Sequence, residues 1–166
     1  MSLQDRVQTD IAAAMRAGDG LRRDVLRMVV STAYNVEKRE GRPLTDDEYL
    51  AVLSREVKTR RESVEAFRSG GREDLAAKEE AEIAILSEFL PQQLSEAELT
   101  ALVDEGIAAT GANSARDLGK VMGWLAPKTR GRADGKVVSG LVAKALAQAD
   151  LVAHDTGGHN AGGSGA

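Results

Sequence analysis

The chain has 166 residues, enough for one ordinary domain or two small ones, and its 22 basic and 26 acidic side chains leave a formal net charge of -4 on a 42% apolar composition. It contains no cysteine, which excludes disulfides, thiolate metal sites and a cysteine nucleophile. Both histidines, His154 and His159, stand in a Gly-rich tail, so no general base of that type is expected inside the folded part and a Ser-His-Asp enzyme is not anticipated.

The first predicted helix runs from about Leu3 to Ala17, where Gly18-Asp19-Gly20 interrupts it. A second spans Leu21 to Glu40, with Val25, Met28, Val29, Ala33 and Val36 near the helical period and Gly41 as its stop. Thr45-Asp46-Asp47-Glu48 reads as a capping box, because the Thr hydroxyl can accept from an orphan amide while Glu48 reaches back. The third helix that follows carries Leu50, Leu53, Val57, Val64 and Phe67 on one face and ends at Gly70-Gly71. A fourth carries Leu75, Ile83, Leu86 and Leu90, and Pro91 prevents its continuation.

Pro91-Gln92-Gln93-Leu94 is the linker candidate. Beyond it, Ser95-Glu96-Ala97-Glu98 is a second capping box, opening a helix with Leu99, Leu102, Val103 and Ile107 that Gly111 stops. Ser114 is expected to cap a sixth helix from Arg116 to about Ala126, ended by Pro127. Asp134 caps a seventh, from Gly135 to about Gln148, with Val137, Val138, Leu141, Val142 and Ala145 as its apolar set. The expectation is an all-α chain: a four-helix unit over residues 1–91, a small three-helix domain over 95–149 and a Gly-rich disordered tail over 150–166. The five aromatic residues are too few for a β-sandwich core or a base-stacking platform.

Charge is distributed unevenly. Residues 45–94 hold seven basic and twelve acidic groups, whereas between Arg116 and Lys144 seven positive charges face only Asp117 and Asp134. The acidic total thus conceals a basic segment. Lys128, Arg130 and Arg132, with Lys120 and Lys136 flanking, form a candidate phosphate-contacting patch. Asp134 at the same helix start would compete with a phosphate there. Gly131-Arg132-Ala133-Asp134-Gly135-Lys136 is not a nucleotide loop: its glycines are one residue too close for G-x-x-x-x-G-K, and Val137 replaces the Mg²⁺-binding Ser or Thr. Gly119 and Gly123 share a helical face and would permit close backbone approach against Gly140 and Ala143.

A second basic set, Arg22, Arg23 and Arg27 with Arg55, Lys58 and Arg61, would make a positive strip if the second and third helices are neighbours, though Glu62 and Glu65 lie at partnering distance. Glu79, Glu80 and Glu82, without a histidine, read as a solvated face rather than a metal site, and neither a metal nor a cofactor is expected. No apolar run approaches the roughly 18 residues needed to cross a bilayer, and the start, Met1 to Arg6, lacks a charged-then-apolar leader. A cytoplasmic protein without membrane contact is therefore expected.

Leu26-Arg27-Met28, Gly41-Arg42-Pro43-Leu44-Thr45-Asp46, Arg55-Glu56, Gly71-Arg72-Glu73-Asp74-Leu75, Phe89-Leu90-Pro91, Gly119-Lys120-Val121-Met122-Gly123, Lys128 and Gly131-Arg132-Ala133-Asp134 together carry a resemblance. Over about residues 1–148 the chain resembles the GatB/YqeY family, in particular its small stand-alone YqeY-like proteins. Phe89 stands where such proteins often have Tyr, Trp124 where a smaller residue is common, and the Gly-rich tail is extra. The resemblance implies four N-terminal helices and a compact helical C-terminal domain similar to the tail of the B subunit of glutamine-dependent aspartyl/glutamyl-tRNA amidotransferase, which helps hold the tRNA. It also implies carbon-nitrogen ligase activity with glutamine as amide donor. The residues provide no cysteine nucleophile, no Ser-Ser-Lys arrangement and no Mg²⁺-phosphate cradle for that chemistry, so no catalytic residue is assigned. The expectation is a tRNA-binding accessory or adaptor, with amidotransferase subunits as candidate partners. The alternatives are participation in tRNA-dependent amide transfer and a protein-interaction module built on the acidic middle helices.

Overall fold

The structure, a computed structural model, describes residues 1–156. These residues are helical throughout apart from turns and short connections, and they contain no strand. They form two compact units, Met1–Gln93 and the chain from Leu94 onward. The all-α class expected from the sequence is the class observed.

The first unit contains α1 (Leu3–Ala17), α2 (Gly20–Glu40), α3 (Asp46–Ser69) and α4 (Glu73–Ser87). Local chemistry sets these ends. Ser2 accepts from the Asp5 amide while Asp5 accepts from the Ser2 amide, and Thr45 and Glu48 make the same reciprocal box. Gly18 and Gly41 close α1 and α2 in the left-handed region, at φ 70° and 71°, where a side chain would be strained. α4 ends earlier than Pro91 requires. Glu88, Phe89 and Leu90 instead donate to carbonyls three residues back, because a residue preceding proline disfavours α geometry and the last turn tightens.

The core of this unit joins Leu3, Val7 and Ile11 of α1 to Val25, Leu26, Val29 and Ala33 of α2, with Tyr49, Leu53 and Val57 of α3 and Leu86 beyond α4's midpoint. Met28, expected in the α2 stripe, is 54% exposed. Its place in the core is taken by Leu26, one helical step to the other side of Val25 and Val29.

Inside this unit α3 carries Arg60, only 5% exposed, whose Nε donates to Glu82 of α4 at 2.9 Å and whose Nη1 donates to Glu56 at 2.7 Å. Thr32 of α2 also donates to Glu56, at 3.2 Å. One guanidinium thus ties three helices together. Burial works to lower its pKa, and the hydrogen bonds to Glu56 and Glu82 outweigh it, leaving the arginine firmly charged.

The second unit contains α5 (Glu96–Thr110), a 3-10 turn at Ala115–Asp117, α6 (Leu118–Thr129) and α7 (Gly135–Thr156). Its core is Leu99, Val103, Ala112, Val121, Leu125, Val138, Val142 and Leu146. Three expectations are corrected here. Ser95 accepts from the Glu98 amide, but the Glu98 carboxylate takes the Ser95 hydroxyl instead of the backbone amide, so only half of that box forms. Ser114 makes no side-chain cap. Pro127 lies inside α6, in its last turn, and does not end it: the missing N–H deprives the Gly123 carbonyl of its donor, and Gly123 is exposed, so water can take that place.

Helix α7 continues to Thr156 rather than stopping near Gln148, so residues 150–156, expected as tail, are helical. The tail expectation for 157–166, and His159 with it, lies outside the described residues. His154 sits in the exposed last turn of α7.

Candidate nucleic-acid interface

Helices α6 and α7 pack on each other across a five-residue connection, 130–134, and so form a helical hairpin. The connection is held at both ends. Buried Thr129 donates its hydroxyl to the Leu125 carbonyl, and its own carbonyl accepts from Arg132 and Ala133. The Arg132 carbonyl accepts from Leu94 at 2.9 Å. Gly131 takes φ 71°, the left-handed turn that lets the chain reverse. Asp134 then accepts from the Lys136 amide at 2.9 Å, capping α7 as expected.

This framework gathers four of the five candidate cations at one end of the hairpin. Lys128, Arg130 and Lys136 are exposed and Arg132 is half-buried. Lys120 is exposed too, but it lies eight residues before Lys128, about 12 Å along the helix axis. Two cations not named as candidates, Arg116 and Lys144, are also exposed on this unit. Their signal was present in the charge excess between Arg116 and Lys144. It was not assigned to a site because spacing alone does not tell which cations share an end of a hairpin.

Lys128 is positioned rather than loosely solvated. Its ammonium stands 4.0 Å from the centre of the Trp124 ring, a cation-π contact. The ring in turn lies on Gly106 of α5, where an added Cβ would meet Trp124 Cε3 at 2.8 Å. Gly106 is therefore the close-approach glycine of this unit. The expectation that Gly119, Gly123 and Gly140 serve helix packing is corrected: a Cβ at any of them would meet nothing within 4 Å. These glycines are exposed on α6 and α7 and leave backbone bare to solvent, with Ala126 and Ala143 also exposed. Beside them, Asp117 accepts from the Asn113 amide, which with nearby Ser114 and Lys120 holds its carboxyl below the usual range.

The basic set of the first unit does not assemble. Arg22 is bonded to Asp10 and Glu88, Arg23 to Asp24, and Arg27 rests on the Met15 sulfur at 3.5 Å. Arg55 instead lines a shallow cavity of about 210 Å³ with Thr32, Val36, Arg39 and Glu48. The acidic block is likewise divided: Glu80 pairs with Arg68 at 2.7 Å, while Glu82 is buried on Arg60. Among the described residues no group of three or more metal-capable side chains occurs, and no helix is long and apolar enough to cross a membrane.

Among the described residues the chain is helical, with a four-helix unit followed by a smaller helical unit, as the resemblance to small YqeY-like proteins implies. The family description "Yqey-like protein" matches residues 4–146, and the chain belongs to that family. Curated relatives include "Altered inheritance of mitochondria protein 41, mitochondrial" of Pyrenophora tritici-repentis, 30% identical over 81% of this chain and 75% of that protein. The protein of the same name from Lachancea thermotolerans is 28% identical over 83% of this chain and 78% of its own length.

Proposed function

We propose that the second unit is an RNA-binding module that holds tRNA, or another structured RNA, through its phosphates. Lys120, Lys128, Arg130, Arg132 and Lys136 supply the charge, and Lys144 extends the same surface. The observation that carries this reading is the gathering of Lys128, Arg130, Arg132 and Lys136 around the α6–α7 connection, with Gly119 and Gly123 exposed and side-chain-free on α6. A surface of that kind lets a bulky sugar-phosphate backbone come close to the helix while lysines reach around it. Such contacts position an RNA without reading its sequence. Because Asp134 already caps α7, the binding energy in this reading comes from side chains and not from the helix end.

The protein acts in this reading as an accessory or adaptor. Any amide transfer in which it takes part draws its nucleophile and ATP site from partner subunits, since the chain has no cysteine and no assigned catalytic residue. The reading asks only for an aqueous compartment containing tRNA, a condition met by the cytoplasm and by the mitochondrial matrix alike.

The test is tRNA binding at two salt concentrations, wild type beside Lys128→Glu/Arg132→Glu. Wild-type affinity is expected to fall about 10²-fold between roughly 50 and 200 mM salt if four to five phosphates are contacted. The double variant is expected to lose most of the binding and most of the salt dependence. Unchanged affinity in that variant would sink the reading.

A further inference from the structure

The solvent face of α2 carries residues arranged symmetrically about Ser31, three of which touch neighbours inside the unit: Asp24 pairs with Arg23, Arg27 rests on the Met15 sulfur, and Met28 Sδ accepts from Arg60 at 3.7 Å. Asp24, Arg27, Met28, Ser31, Tyr34, Asn35 and Lys38 are all exposed, Met28 by 54% and Tyr34 by 61%. Counting outward from Ser31, Met28 and Tyr34 are each three residues away, Arg27 and Asn35 four, and Asp24 and Lys38 seven. The offsets of three, four and seven are those that keep residues on one helical stripe.

We propose that this face binds a second copy of the chain, α2 against α2 in antiparallel orientation, with the two-fold axis at Ser31. Every pair that meets across such an axis is complementary in kind. Asp24 meets the Lys38 of the other copy, and Arg27 meets its Asn35. Met28 and Tyr34 lie about 60° to either side of Ser31 and flank the crossing, where the Tyr34 ring stands beside the Arg27 of the other copy, a cation-π pairing. Each pairing occurs twice, as an isologous interface requires. The small Ser31 at the crossing point lets the two helices approach. Charge settles the direction: parallel helices in the same register would set Asp24 against Asp24 and Lys38 against Lys38.

Met15 of α1, 55% exposed and held against Arg27, widens the apolar rim of the same patch. The paired stretch from Asp24 to Lys38 spans about 21 Å of helix. A single helix pair of that length is a small contact, so the dimer is reversible and depends on concentration. The proposal concerns the first unit and stands apart from RNA binding by the second.

The full-length chain is well suited to the test because it has no native cysteine. Ser31→Cys places two thiols at the axis. Helices packed at an interaxial distance of about 8 to 10 Å bring facing backbones within the range that a disulfide bridges. Under mild oxidation this variant is expected to give covalent dimer far faster than Glu65→Cys on the exposed surface of α3. Equal rates for the two variants would overturn the proposal.

Sedimentation velocity over a concentration series gives the second arm. Wild type is expected to dimerise, and Asp24→Lys or Lys38→Asp alone to weaken the dimer about tenfold, since each turns two attractions into repulsions. The double variant Asp24→Lys/Lys38→Asp exchanges the charges across the axis and is expected to restore the wild-type midpoint. A wild type that stays monomeric throughout, or a double variant no tighter than the singles, would refute the α2 pairing.

Discussion

In the first unit arginines close on carboxylates of the same unit: Arg22 on Asp10 and Glu88, Arg42 on Glu48, Arg60 on Glu56 and Glu82, and Arg68 on Glu73 and Glu80. The second unit treats its cations differently, leaving Lys120, Lys136 and Lys144 exposed to solvent and laying Lys128 on the face of Trp124. The difference follows from composition. Residues 45–94 carry an excess of acid that absorbs arginine, whereas the stretch from Arg116 to Lys144 has only Asp117 and Asp134 against seven positive charges, and each of the two accepts from a backbone amide. Arginine's planar fork suits multiple carboxylate contacts within a core, and lysine's point charge on a flexible stem suits a wet surface. Ion pairs therefore link helices of the first unit, while in the second several lysines stay at the surface.

The contrast breaks most sharply at Arg60. Replacing it by Met leaves buried Glu82 and half-buried Glu56 without their cation, and the expected loss is about 3 to 5 kcal/mol of stability in the first unit. Trp124, the chain's one tryptophan, belongs to the second unit. Denaturation of Arg60→Met is thus expected to shift the helical circular-dichroism transition while the Trp124 emission keeps its midpoint. A common shift of both signals would show that the two units unfold together.

Next in size is Gly106→Ala. The new methyl would meet the Trp124 ring at 2.8 Å, and overpacking of this kind costs about 1 to 3 kcal/mol, more than the helix-propensity gain returns. Displacing the ring also removes the platform under Lys128. A lower midpoint together with a shifted Trp124 emission is the expected result, read by chemical denaturation.

Gly123→Ala should act in the opposite direction. Its Cβ meets nothing within 4 Å, so the substitution is expected to stabilise the second unit by about 0.5 to 1 kcal/mol. If the bare face receives RNA, the same variant weakens tRNA binding. Greater stability with undiminished binding would confine the RNA contact to the cations.

The smallest effect concerns pH. The Arg42 side chain, with the Thr45 amide after it, pulls the exposed Glu48 carboxyl from 4.5 to about 2. A depressed carboxylate contributes stability that is present above its ordinary value and is lost as pH falls through the folded one. Stability should decline from about pH 4.5 toward pH 2, and Arg42→Ala should make that decline shallower. Carboxyl NMR titration of Glu48 in both proteins gives the direct reading; identical titration curves would count against the Arg42 contact.

Much of the fold was legible because helix ends are local. Gly18, Gly41, the Thr45-Glu48 box and Asp134 each act on amides or dihedrals a few residues away, and each behaves as its sequence context says. Pro127 misled because proline disturbs the carbonyl four residues before it, here that of the exposed Gly123, and does not forbid the two helical residues that follow. Met28 misled because it and Leu26 lie on opposite flanks of the Val25-Val29 stripe, and the packing of α1 and α4 on α2 decides which flank is buried.

The candidate cations were found by counting charges, a sum that needs no coordinates. Which of them share a hairpin end, and which are held by a ring, depends on contacts between residues distant in sequence. Gly106 makes the point most clearly. Its sequence mark was only a glycine inside an apolar helix, a costly choice relative to alanine; the reason for it is a tryptophan 18 residues away. Sequence alone determined where the helices fall, the caps at Gly18, Gly41, Thr45 and Asp134 and the excess of positive charge, because those follow from neighbours along the chain. Tertiary structure alone decided that Arg60 is buried between two glutamates, that Gly106 and not Gly119 or Gly123 makes room for a neighbour, and that Lys128 rests on Trp124, because burial and close approach are properties of elements brought together.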